Sequence, residues 1–416
     1  MKLTKLTGVL LLCALLLLSC TKNEQKNNDG NQSNQNQAQN NAVENNDSAN
    51  KEADKEIPLF TKLTVTDSSL GDYYDMSPIC DGFFSVINHD FSMGIINSDL
   101  EFILPCRYST HRSPADNIIA IRDENSLWGY FDLTCEKFIL DCKYDQVFDF
   151  SEGIGCYFDG ELYRYIKADG TPAFDGRFFE AAPFSDGLAR VVSGDGVGYI
   201  DKTGKHVIHC DYESFDDFHK GLARVSDEQT LGYIGKDGNL KLKLTCNDIF
   251  PFDDGLAAVR LNGKIGYIDP NGNLPIAPEY DAPKVESYEY FRFECGVAPI
   301  MKDGKYGFIN KKGELVINPE YDLVLYAIED IIRVKNDNLY GYITTSGEVI
   351  ADCIFTEAGA FNDGIARVKK DGYYYFINKE GKELTDEGFL DATDFNNGTA
   401  FVIRQGTDSW VKVIAE

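Results

Sequence analysis

From about residue 80 onward the chain repeats itself, and this fixes what it can fold into. A four-residue core recurs as Met93-Gly94-Ile95-Ile96, Trp128-Gly129-Tyr130-Phe131 and Val197-Gly198-Tyr199-Ile200, then again around Gly232, Gly266, Gly307 and Gly341. Arg164, Tyr375 and Val411 hold the glycine position in three further copies. Successive copies are 35, 35, 34, 34, 34, 41, 34, 34 and 36 residues apart. A fixed period of this length marks a repeat architecture, in which each unit buries its apolar face only against its neighbours.

Each unit has the same grammar. A block such as Phe184-Ser185-Asp186-Gly187-Leu188-Ala189-Arg190-Val191 reads as a loop and a first strand, followed by the Gly-Tyr-Ile strand. Tight turns ending in glycine come next, as in Asp201-Lys202-Thr203-Gly204, and suit a type I turn closed by a left-handed glycine. A third strand follows, for example Lys205-His206-Val207-Ile208. The fold class expected is all-β, built from antiparallel meanders of three strands, with a fourth short strand in the loop. The glycine before the aromatic residue is expected to admit a neighbouring ring or backbone.

The Trp/Tyr-Gly-Tyr-Ile strand, the Asp-Lys-x-Gly turn and the Phe-x-x-Gly-Leu-Ala-x-Val strand together resemble the bacterial WG-repeat family, with Trp128-Gly129 showing the dipeptide literally. The resemblance covers roughly residues 80 to 416. It implies an all-β repeat array, common in cell-envelope proteins, and no shared catalytic residues.

The last unit stops without its third strand, and Leu63-Thr64-Val65-Thr66 precedes the first complete unit. A propeller-like ring closed by the two chain ends is therefore expected, with an open curved β-solenoid as the alternative.

The N-terminus carries an address. Lys2 and Lys5 precede the apolar run Leu6 to Leu18, which is too short to span a bilayer and reads as a signal-peptide core. It ends in Leu17-Leu18-Ser19-Cys20, which resembles the bacterial lipobox. The resemblance implies cleavage before Cys20, acylation of its thiol and a membrane anchor. The domains expected are a lipoprotein signal at 1–19, a lipidated, Asn/Gln-rich disordered tether at 20–57, and the repeat domain at 58–416. The location implied is the bacterial cell envelope, on either side of a membrane.

Composition narrows the function. With 67 acidic against 40 basic residues, the formal charge of -27 disfavours nucleic acid as a partner. Five histidines leave little for a histidine-based site. His206, His209 and Cys210 would need a bulge to converge on a metal, and no cofactor or metal site is expected. Asp-rich turns such as Asp253-Asp254-Gly255 are expected to bond their own backbone. The nine cysteines beyond Cys20 are expected to be buried, unpaired thiols, with disulfides as the alternative.

Two features suggest binding. Arg190, Arg224, Arg333 and Arg367 recur at one repeat position, as a ladder for a ligand or as partners of nearby acids. The 41-residue step places an insertion in 281–296, holding Tyr288, Tyr290, Phe291, Arg292 and Phe293. Its aromatics either anchor a partner or fold back over a gap. No catalytic motif is visible. The reading is a non-catalytic, membrane-anchored lipoprotein that binds an envelope protein or polysaccharide. The alternatives are a glycan hydrolase or lyase with paired carboxylates, and a structural spacer.

Overall fold

A computed structural model describes residues 62–246, 248–282, 291–325 and 327–416. The lipobox, the tether, and Tyr288 and Tyr290 lie outside these residues. Every regular element in the described part is a β-strand. The strands form small antiparallel sheets in tandem, and none closes into a barrel. We number the repeats one to ten by the glycine position, from Gly94 to Val411.

Repeat four shows the unit. Leu188–Ser193 and Gly196–Asp201 form a hairpin, His206–His209 adds on one side, and the two-residue strand Glu180–Ala181 adds on the other. The Asp201 turn takes the expected form. Gly204 has φ +82, and Asp201 Oδ1 accepts the amides of Thr203 and Lys205. The Phe-Ser-Asp-Gly segment, expected as a loop, is instead a tight two-residue turn. Both Asp186 and Gly187 are left-handed, and Ser185 and Leu188 exchange backbone hydrogen bonds.

The recurrent glycine has a specific cause. In seven repeats the third strand bulges opposite this residue and lays its carbonyl over it. A Cβ on Gly198 would sit 1.9 Å from Ile208 O, on Gly232 2.0 Å from Leu242 O, and on Gly307 2.4 Å from Ile317 O. Repeats three and nine carry Arg164 and Tyr375 here. Their sheets end at the hairpin, and the following segment touches it only through isolated bridges, such as Tyr163 to Phe178 and Tyr374 to Phe389.

An aromatic pair joins most repeats to the next. Tyr199 meets Phe218 at 4.7 Å between ring centroids, Tyr233 meets Phe252 at 4.9 Å, and Tyr342 meets Phe361 at 5.1 Å. Such pairs contribute about 0.5–1.5 kcal/mol beyond their burial. The tyrosine hydroxyl then donates to a carbonyl of the next repeat: Tyr165 to Ala182, Tyr199 to Asp216 and Tyr342 to Gly359, at 2.6–2.7 Å.

The ends of the row meet. Leu63–Gly71 pairs antiparallel with Trp410–Ala415, with Val65 opposite Val413, and so supplies the strand that repeat ten lacks. Phe401 and Trp410 of repeat ten share a core with Met76, Phe84 and Ile96 of repeat one. The two chain ends are thus joined by strand pairing and a shared core.

Candidate binding cleft

The arginine ladder occupies the strand that follows each two-residue turn. Its members face acids and carbonyls of their own and the next repeat. Arg190 Nε donates to Asp217 at 2.6 Å and its Nη1 to the Phe215 carbonyl. Arg224 spans Asp216 at 2.7 Å and Asp248 at 3.2 Å. Arg367 holds Asp394 at 2.9 Å, and Arg333 donates to the Ala358 carbonyl. Burial works against the charge of Arg190 and Arg224. The hydrogen bonds and charges of their aspartates outweigh it and hold both guanidinium pKa values above the ordinary one.

Repeats four, five, eight and nine carry the arginine; repeat two has Ala120 there, and repeat six also lacks it. Its residue at the arginine position is Ala258, and a cleft of about 650 Å³ opens there between repeats four and seven. Arg190, Arg224, Phe291 and Arg292 all line it, so the cleft brings together two of the four ladder arginines and two residues of the insertion, while Arg333, Arg367 and Phe293 lie outside it. Asp216, Asp217, Asp248 and Arg260, which sequence reasoning did not single out, line it too. Ala258 standing where four other repeats have arginine was the available signal for them.

Arg260 is unusual. Its guanidinium lies 5.8 Å from the Phe250 ring, and its Nε is buried without an acceptor among the described residues. A buried donor left unmet costs about 1–3 kcal/mol. Tyr267 is affected in the same junction. Its ring still meets Phe293 at 5.0 Å, 26 residues on rather than the 19 that separate Tyr199 from Phe218. The Tyr267 hydroxyl has no acceptor among the described residues.

One alternative is decided and two expectations need correction. Phe291 folds back over the gap. It is only 3% exposed and packs on Phe250 at 4.9 Å, because it fills the core of the junction between repeats six and seven. His206 and His209 do not point apart. The bulge opposite Tyr199 and Ile200 brings their rings into a stack at 5.6 Å, while His206 Nε2 contacts Ser193 Oγ. Of the described cysteines, Cys135 and Cys295 are exposed rather than buried, because both occupy turns.

Comparison with known proteins identifies the repeat. A profile described as WG containing repeat matches seven times, at residues 128–163, 163–195, 198–229, 232–264, 265–306, 306–340 and 340–374, more than half of the chain. The chain belongs to the WG containing repeat family. The matched WG repeats include all four that line the cleft. No curated protein matches the chain. Among solved structures, it is similar to the computationally designed Ika8 protein, at 12% identity and TM-score 0.32, covering 86% of this chain and 100% of that one. A eukaryotic initiation factor matches at 8% identity and TM-score 0.42, over 82% and 90%. BamB from Moraxella catarrhalis matches at 12% and 0.32, over 65% and 94%. At such scores these likenesses carry no functional argument.

Proposed function

We propose that this WG-repeat protein is a non-catalytic bacterial lipoprotein, anchored in the envelope through Cys20, whose repeat domain binds an envelope protein or polysaccharide. The observation that carries the binding reading is the cleft beside Ala258, where ladder arginines and the insertion meet and Arg260 Nε lacks an acceptor among the described residues. Asp216, Asp217 and Asp248 there each engage a guanidinium, an arrangement suited to recognition rather than to proton donation. The anchor rests on the basic start, the thirteen-residue apolar run and the Leu-Leu-Ser-Cys ending.

Two experiments test this reading. Metabolic labelling with a fatty-acid analogue marks the wild type and not Cys20→Ala; equal labelling removes the lipoprotein assignment. Affinity capture from solubilised envelopes, read by mass spectrometry and glycan analysis, retains a partner. The paired change Tyr288→Ala with Arg292→Ala abolishes capture without altering melting. Turnover of a retained glycan would instead support the hydrolase or lyase reading.

A further inference from the structure

We infer that the cleft beside Ala258 takes an uncharged saccharide segment, an assignment that rests on the binding reading above and narrows it. A sugar hydroxyl both donates and accepts, so its site needs donors and acceptors interleaved at short range. The cleft has this pattern: Asp217 beside Arg190 at 2.6 Å, and Arg224 held between Asp216 and Asp248 at 2.7 and 3.2 Å. Arg260 also lines the cleft, its Nε buried behind the surface without an acceptor among the described residues. Phe250 and Phe291, packed on each other at 4.9 Å and both buried, form the apolar floor beneath these polar groups.

Other ligand classes fit less well. Four arginines and four aspartates line the cleft, so it offers an anion no net positive charge, and the chain's charge of -27 repels polyanions at long range. A protein epitope of standard size covers about 800 Å² on each partner. A concavity of about 650 Å³ instead falls within the range of roughly 300–1,000 Å³ occupied by small-ligand sites. Ala258 lines the cleft at the position where Arg190, Arg224, Arg333 and Arg367 stand in four other repeats, and a larger residue there would project toward it.

The test uses the full-length protein, immobilised neutral oligosaccharides of glucose, mannose and N-acetylglucosamine, and oligogalacturonate as the acidic comparison. Wild type binds at least one neutral series saturably and leaves oligogalacturonate unbound. Ala258→Arg, which installs the side chain that four other repeats carry, weakens binding at least tenfold with melting unchanged. Arg333→Ala, outside the cleft, leaves it intact. Should Ala258→Arg fail to fold, Arg260→Gln decides, with a several-fold loss expected. Preference for oligogalacturonate, or wild-type binding by a folded Ala258→Arg, overturns the assignment. If no saccharide binds while Ala258→Arg still abolishes capture of an envelope protein, the saccharide assignment fails and the binding reading stands. If Ala258→Arg alters neither saccharide binding nor envelope capture, both fail.

Discussion

The backbone amide of Gly82, in repeat one, donates to the side-chain oxygen of Asn396, in repeat ten, at 3.1 Å and 314 residues' separation. Inside the row the same amide position is served by an acid of the preceding repeat: Asp116 holds Gly153 at 2.9 Å, Glu152 holds Gly187 at 3.1 Å, and Asp363 holds Gly398 at 2.9 Å. The junction between the chain ends therefore has the chemistry of an ordinary junction, with asparagine in place of the acid. Trp410 reinforces it, nearly fully buried and donating from its indole nitrogen to the Tyr73 carbonyl at 3.1 Å. Truncating a buried aromatic costs about 3–5 kcal/mol. Trp410→Ala should lower the melting temperature about as much as Tyr342→Ala, which removes another fully buried aromatic side chain inside the row. Calorimetry of both variants checks this, and an unchanged melt for Trp410→Ala would remove the closure.

Glycine positions separate by what lies above them. Gly232→Val drives a branched side chain into the Leu242 carbonyl and should destabilise by about 1–3 kcal/mol or more. Gly194→Ala, with nothing within 4 Å and no left-handed φ, should be close to neutral. Equal melting of the two variants would contradict the bulge as the reason for the glycine.

Thiol chemistry follows burial. Burial, aided by the charges of Asp123 and Asp141, pushes the Cys142 thiol up to about 11, and burial pushes that of Cys156 higher still. In native protein at about pH 8, iodoacetamide should modify Cys135 first. Cys295 should follow more slowly, because burial raises its thiol pKa although the residue as a whole is exposed. Cys142 and Cys156 should react only after unfolding. Peptide mass spectrometry over time reads the order, and early labelling of Cys156 would contradict it.

Acid should loosen the row in two windows. Burial lowers the pKa of His206, and the charge of His209 lowers it further. A depressed histidine contributes stability above its unfolded value of about 6.5, and that contribution is lost as pH falls below it. Burial opposes the charge on Asp186, but Lys236 and the Gly221 amide outweigh it and hold its pKa below the ordinary carboxylate value. Its contribution is present above about 3.9 and disappears as pH falls through the folded value. The Asp186 pair is partly exposed, so the effect should stay below about 1 kcal/mol. His206→Asn should flatten the loss of stability between about pH 6.5 and 5, and Asp186→Asn the loss below about pH 4. Denaturant titrations across pH would contradict this if both variants kept the wild-type slope.

Much of the fold was legible because each unit announces itself. The 34-residue period, the Asp201-to-Gly204 turn and the spare strand at Leu63 to Thr66 are local patterns, and each appears where the spacing put it. The site was legible only in part. The insertion and the arginines were visible, but their meeting in one cleft depends on how repeats four to seven stack. That Phe291 turns inward depends on a gap only the packed junction defines. The stacking of His206 on His209 was missed because strand alternation was applied across a bulge that no single residue signals.

The account stands most directly on where ligand protects the molecule. Hydrogen exchange of the full-length protein, with and without the envelope material it retains, reads this peptide by peptide. The account predicts added protection concentrated in peptides covering 214–219, 248–260 and 291–294, the walls of the cleft beside Ala258. Protection centred instead on the exposed third strands His206–His209 and Leu240–Lys243, or spread evenly over all ten repeats, would contradict it.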